Sequence, residues 1–211
     1  MTEAEWLAAT EPGPSANFLC TGLNLSWSSK GRRKLRLYAC ACCQRAWHLL
    51  DNRSRQAVEV AERYAEATVL KSELDRVWKT GQHGSMGIVC AQIGTAALQA
   101  PYSARDALAW AAEVQNKGSY DSARTAESRA QVELLRDVFG NPFRPVTFSS
   151  EWRTDTAVTL ARTMYDSRDF SAMPILADAL QDAGCDNDDI LTHCRDTSQA
   201  HVRGCWVVDL V

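Results

Sequence analysis

The sequence predicts an all-α fold, an irregular array of about nine to ten helices packed as antiparallel or orthogonal hairpins. Apolar residues recur at helical spacing, residues that cap helices precede these runs, and glycine or proline follows them. Strand signals are almost absent, because β-branched and polar residues never alternate over a sustained run. The 211 residues fit a single helical domain, 1–211, which the connector 140–148 can subdivide into 1–139 and 149–211.

In the N-terminal half, each predicted helix begins at a residue that caps helices. Thr2 forms a capping box with Glu5, in which each side chain accepts a hydrogen bond from the backbone N–H of the other residue. The later helix starts are Ser28 or Ser29, Asp51, Ser72, Ser85 and Ser103 with Asp106. Pro12 and Pro14 end the first helix, and Pro101 ends the helix that begins at Ser85.

The stretch 80–104 contains no Lys, Arg, Asp or Glu, and it is long enough to span a membrane, since about 20 residues suffice. It nevertheless contains Gln82, His83, Gln92, four glycines and Pro101, which make it too polar and too interrupted for hydrocarbon. We therefore predict a buried core helix in this stretch and no contact with a membrane.

In the C-terminal half, a helix over about 121–139 is predicted to end at Gly140, since glycine commonly follows the last residue of a helix. The segment 141–148 is a non-helical connector, because its two prolines disfavour helix, and its phenylalanines predict that it packs onto the body of the protein. The remaining helices are predicted to begin at Thr154, Ser171, Asp186 with Asp189, and about His201, the last of them reaching the end of the chain.

The composition gives a formal net charge of -3, which provides no general attraction to nucleic acid or to an anionic membrane. The sequence begins with an acidic segment, 1–6, and lacks the basic and apolar regions of a secretory signal. We therefore expect a cytoplasmic protein whose eight cysteines are reduced, as buried thiols or as metal ligands.

Cys40 and Cys43 lie one turn apart on a predicted helix and form the first candidate pair of metal ligands. Both cysteines lie within the predicted helix, whereas the cysteines of a zinc knuckle lie in a turn. No second pair of cysteines follows nearby in the sequence. His48 does not point with them. Burial as packed thiols is the favoured interpretation, because free cysteine is among the most buried residue types.

A second candidate metal site lies near the C-terminus. His201 and Cys205 are four residues apart on the predicted last helix and so face the same way. The ligand set is either Cys185, His193, His201 and Cys205, or the last two of these joined in space by Cys40 and Cys43. Neither set matches a zinc ribbon or finger, so a polar helix start at His201 and simple burial of Cys205 are favoured, with zinc as the alternative cofactor.

A basic cluster at the start of the helix that is predicted to begin at Ser28 or Ser29 is the candidate contact for phosphate. Its residues are Lys30, Arg32, Arg33, Lys34 and Arg36, and Arg45 follows further along the chain. Such a cluster can bind a phosphate backbone, and positive charge at a helix start opposes the helix macrodipole. A solvated helix face is the favoured interpretation, so nucleic acid is not the expected partner.

Sequence signatures of enzymes are missing, because the chain contains no Gly-x-Ser-x-Gly, His-Glu-x-x-His, Walker or Gly-x-Gly-x-x-Gly motif. The segment 186–189 begins like a calcium loop, but Leu191 occupies the position that requires glycine. We assign no catalytic residues and favour a protein without catalysis of its own.

Several segments together resemble a family of uncharacterised bacterial proteins of planctomycete type. They are 1–7, 33–50, the connector Gly-Asn-Pro-Phe-Arg-Pro-Val at 140–146, the segments 174–180 and 183–185, and the tail His-Val-Arg-Gly-Cys-Trp at 201–206. The family has no established activity, so the resemblance implies no catalytic roles. It implies a module found alone or joined to other domains.

Three functions follow, in order of preference. The first is a helical module for protein interaction or regulation, with an unknown protein partner that contacts Phe143 and Arg144 or the basic face. The second is a zinc protein with a structural Cys/His site. The third is binding of nucleic acid or phosphate through residues 30–36.

Overall fold

The computed structural model describes residues 1–80 and 96–211. This part of the chain forms helices and turns without a strand, so the predicted all-α class is confirmed. Its ten α-helices are α1 (Glu3–Ala8), α2 (Pro12–Asn17), α3 (Ser29–Arg45), α4 (Asn52–Ala65), α5 (Lys71–Thr80), α6 (Ala96–Val114), α7 (Tyr120–Phe139), α8 (Asp155–Ser167), α9 (Met173–Asp182) and α10 (Asp188–Arg195).

The predicted capping residues at four helix starts are confirmed. Thr2 and Glu5 form the capping box at α1, with both reciprocal hydrogen bonds present. Ser28, Asp51 and Thr154 each accept a hydrogen bond from the backbone N–H three residues later, at the starts of α3, α4 and α8. These caps satisfy backbone donors that have no partner inside the helix.

Pro101 does not end a helix. It lies inside α6, so the predicted break at Pro101 and the predicted start at Ser103 are wrong. The Pro101 carbonyl accepts a 2.9 Å hydrogen bond from Nε2 of the buried Gln131 on α7, and this packing outweighs the single backbone hydrogen bond that a proline removes. The start predicted at Ser85 lies outside the described residues.

The C-terminal helices differ from the prediction at three starts. Asn187 and not Asp186 caps α10, since its Oδ1 accepts from the Ile190 N–H at 3.1 Å. Helix α9 follows Ala172 without a side-chain cap, so Ser171 does not cap it. Beyond α10 the chain forms only turns, and the helix predicted from about His201 is wrong.

The chain divides into two compact units, an N-terminal unit of Met1–Leu135 and a C-terminal unit of Arg136–Val211. In the N-terminal unit, α3 packs against α4 and α6 around a core that includes Cys40, Cys43 and Val58. In the C-terminal unit, α9 packs against α8 and α10 around a core that includes Leu176 and Ile190.

None of the helices in the described residues combines the length and the apolar character needed to cross a membrane.

Candidate metal centre

Four potential metal ligands converge within the C-terminal unit, and they are Asp137, His193, His201 and Cys205. Asp137 lies near the C-terminal end of α7, and His193 lies on α10. His201 and Cys205 belong to the turns that follow α10. One ligand atom from each residue can be chosen so that all four atoms lie within 4.8 Å of one another.

The turns carrying His201 and Cys205 are held against the end of α7 by backbone groups. The Val202 N–H donates to Oδ2 of Asp137 at 2.9 Å, and the Trp206 N–H donates to the Asp137 carbonyl at 2.8 Å. Gly140 ends α7 with a φ of +65°, and a Cβ at this position would lie 3.2 Å from the Trp206 ring. The left-handed backbone and this close approach together favour glycine at 140.

Short contacts link the four ligands into one cluster. Oδ1 of Asp137 lies 2.7 Å from Nδ1 of His201 and 3.2 Å from Nε2 of His193. The same His193 nitrogen lies 3.3 Å from Sγ of Cys205. The Asp137 carboxylate is therefore the shared partner of both imidazoles, and His193 stands between the carboxylate and the thiol.

The cluster is enclosed, with side-chain exposures of 1 % for Asp137, 5 % for His201 and 9 % for His193. Burial works against the charge of Asp137, but the hydrogen bonds from His193 and His201 outweigh it and place the pKa of Asp137 below its usual value. Burial raises the pKa of the Cys205 thiol well above its usual value, and the nearby Asp137 charge raises it further. The site thus combines a buried carboxylate anion with a thiol that a bound metal would deprotonate.

The donor set and its spacing fit zinc. Carboxylate oxygen, imidazole nitrogen and thiolate sulfur are the ligands that zinc takes, and tetrahedral bonds of its usual lengths place neighbouring donors about 3.3–3.7 Å apart. The contacts of 3.2 and 3.3 Å at His193 are close to this spacing. The 2.7 Å contact between Asp137 and His201 is shorter, so these two side chains would separate slightly around an ion.

Three of the four ligands predicted near the C-terminus come together, namely His193, His201 and Cys205. The fourth predicted residue, Cys185, is buried in the core of the C-terminal unit and is not part of the cluster. Asp137 stands in its place. Sequence patterns gave no signal for Asp137, because its position at the end of α7 looks like an ordinary acidic helix residue.

Cys40 and Cys43 lie on α3 in the core of the N-terminal unit. Sγ of Cys40 contacts the Val58 carbonyl oxygen at 3.8 Å, as expected for a packed thiol that donates weakly. Within residues 1–80 and 96–211, neither cysteine belongs to a group of three or more potential metal ligands. The seven cysteines in these ranges are all buried free thiols.

The basic cluster lies at the start of α3, and two of its arginines have partners within the N-terminal unit. Arg32 donates to the Trp27 carbonyl at 2.9 Å, and Arg33 pairs with Glu66 at 3.1 Å. Lys30 is exposed, whereas Lys34 is half-buried. These contacts commit both guanidinium groups to the fold.

The two connector residues predicted as a contact surface differ in exposure. Phe143 is half-buried, and its backbone N–H donates to Oδ1 of Asn141 at 3.0 Å. Arg144 is exposed, and its guanidinium lies 4.0 Å from the Asp189 carboxylate. Both residues are thus tied to the C-terminal unit by local contacts.

Comparison of the chain with family models, with curated proteins and with solved structures found no match in any of the three.

Proposed function

We propose that the C-terminal unit binds one zinc ion in a structural site made of Asp137, His193, His201 and Cys205. The observation that carries the proposal is the convergence of these four side chains within 4.8 Å in a buried position. Four protein ligands close a zinc coordination sphere, which is the arrangement of structural sites, whereas catalytic sites keep one position for water or substrate.

The role of the ion follows from where its ligands lie in the chain. His201 and Cys205 belong to turns outside the ten α-helices, whereas Asp137 and His193 lie on two of these helices. A bound ion would fasten the segment 196–211 to α7 and α10 and so stabilise the fold. The predicted roles in protein interaction and in phosphate binding, and the resemblance to the planctomycete-type family, stay predictions.

Metal analysis of the protein purified without chelator tests this proposal. We expect about one zinc per chain, and cobalt added to the chelated protein should give a tetrahedral spectrum with a band from a single cobalt–thiolate bond. Cys205→Ala should lose this band and most of the bound zinc. Cys185→Ala removes a buried thiol of the same unit outside the cluster and should keep both.

The cobalt spectrum of the unmodified chain needs no variant to fold, so it decides the question by itself. A chain that takes up neither zinc nor cobalt would overturn the proposal, and so would a Cys205→Ala variant that retains the thiolate band.

A further inference from the structure

The C-terminal unit contains a cavity of about 380 Å³, lined by the start of α9 and by the turns that follow α10. Phe170, Met173 and Pro174 contribute apolar surface to it, and Asp196 and Gln199 contribute polar groups. The volume lies within the range of roughly 300–1,000 Å³ that is usual for small-molecule sites. Such sites combine a mostly apolar lining with a few polar groups that orient the ligand.

Asp196 provides the negative charge of this lining. Oδ1 of Asp196 accepts hydrogen bonds from both the hydroxyl and the backbone N–H of Ser198. These hydrogen bonds place the pKa of Asp196 below its usual value, so the carboxylate is ionised at neutral pH. The carboxylate can accept further hydrogen bonds, because its two oxygens together offer about four acceptor positions.

The charge of Asp196 is not neutralised by a basic side chain. The described residues that line the cavity include no lysine or arginine. The neighbouring Arg195 donates to Asp178 at 3.1 Å and to Gln181 at 2.6 Å, and within residues 1–80 and 96–211 no lysine or arginine forms an ion pair with Asp196. A half-buried carboxylate beside apolar surface therefore attracts a cation and repels an anion.

We infer that this cavity binds a small organic cation, in which a flat apolar group carries an ammonium or amidinium group. The cationic N–H groups would donate to the Asp196 carboxylate, and the apolar group would lie against Phe170 and Pro174. A charge-assisted hydrogen bond of this kind is roughly twice as strong as one between neutral groups. The inference goes beyond the proposed zinc site and does not depend on it, because none of these residues is a candidate metal ligand.

Benzamidine, benzamide and benzoate test the inference, because they have nearly the same shape and are positive, neutral and negative. Each is added to the 15N-labelled full chain, and the backbone amide signals of residues 170–174 and 196–201 are followed. Benzamidine should shift these signals saturably, benzamide should bind about tenfold more weakly, and benzoate should produce no shift.

Two variants separate the charge from the apolar contact. Asp196→Asn keeps an oxygen acceptor for Ser198 but removes the charge, so benzamidine should bind about tenfold more weakly and no better than benzamide. Phe170→Ala should weaken benzamidine and benzamide by a similar factor of about five, because it removes only the aromatic contact. Asp182→Asn, an exposed aspartate of α9 outside the cavity, should change neither affinity.

The three compounds already decide the question on the unmodified chain, so no variant has to fold. Benzamide or benzoate binding as tightly as benzamidine would overturn the inference, and so would signals that stay unshifted at saturating benzamidine. If Asp196→Asn retained the full affinity for benzamidine, the carboxylate would only hold the turn at 196–198.

Discussion

At the scale of single residues, Asp137 connects more groups than any other member of the candidate metal centre. Its side chain contacts His193, His201 and the Val202 N–H, and its carbonyl accepts from Trp206. It contributes the one carboxylate of the cluster, and that negative charge attracts a divalent cation.

Asp137→Asn should lower zinc affinity by at least about a hundredfold, because the amide keeps the size of the side chain but removes its charge. Competition with a zinc-binding dye measures this affinity. Asp182→Asn, an exposed aspartate on α9 outside the cluster, should leave the affinity unchanged. Equal affinities for the two variants would exclude Asp137 as a ligand.

Arg45 and Glu127 form an ion pair in the N-terminal unit whose carboxylate is almost completely buried. Nε of Arg45 lies 2.8 Å from Oε1 of Glu127, and a second nitrogen, Nη2, donates to Oε2 at 2.9 Å. The side chain of Glu127 is only 6 % exposed. Truncating the arginine would leave this carboxylate buried with few partners.

Arg45→Ala should lower the free energy of unfolding by about 3 kcal/mol, since it leaves a buried charge unpaired. Urea denaturation measures the change. Lys71→Ala breaks an exposed pair with Asp75 and should cost less than about 1 kcal/mol. Similar costs for the two variants would contradict the argument from burial.

At the scale of elements, helix starts were predicted well where the signal is local. Thr2, Ser28, Asp51 and Thr154 cap their helices as predicted, because a capping hydrogen bond spans only three residues. At α10, neighbouring Asp and Asn side chains can each cap a helix, and Asn187 forms the hydrogen bond.

Elements that depend on distant partners were not predictable from the sequence. The spacing of His201 and Cys205 fits one face of a helix, but the backbone around them bonds to Asp137 and adopts turns. The metal cluster was predicted for three residues by the presence of His and Cys near the chain end. Its fourth member was missed, because only the fold brings α7 beside them.

The cap of α4 should make stability depend on pH. The Ser54 N–H donates to Oδ1 of Asp51 at 2.7 Å, and this hydrogen bond lowers the pKa of Asp51. The resulting stabilisation is complete above the unfolded pKa of about 3.9 and is lost as the pH falls through the lower folded pKa.

Asp51→Asn removes this titration while retaining a side chain that caps helices. The difference in free energy of unfolding between the natural chain and this variant should therefore shrink as the pH falls below about 4. Urea denaturation at a series of pH values measures it. If the difference in free energy of unfolding stayed constant over this pH range, Asp51 would not have a lowered pKa in the folded protein.

At the scale of the whole molecule, the candidate ligands all belong to the C-terminal unit, Arg136–Val211. Zinc that binds only the folded unit stabilises it by about 4 kcal/mol when its free concentration is a thousand times the dissociation constant. Zinc binding therefore stabilises the C-terminal unit directly, because this unit contains all four candidate ligands.

Hydrogen exchange of the full chain should therefore slow on zinc addition at residues 136–139 and 193–209, while α3 and α4 exchange at unchanged rates. Mass spectrometry of peptides from zinc-loaded and chelated protein measures the difference. Cys205→Ala serves as the control, since its exchange should not respond to zinc. Protection confined to the N-terminal unit would contradict the location of the site.

The separation of the ligands along the chain has a further consequence. A metal ion that joins Asp137 to Cys205 acts as a covalent cross-link would, and it closes a loop of about 70 residues. Such a link lowers the conformational entropy of the unfolded chain, and for a loop of this length the folded state is stabilised by about 4 kcal/mol. For this protein a chelator would have the effect that a reductant has on a disulfide-bonded domain, and zinc supply would determine how long the tail remains in place.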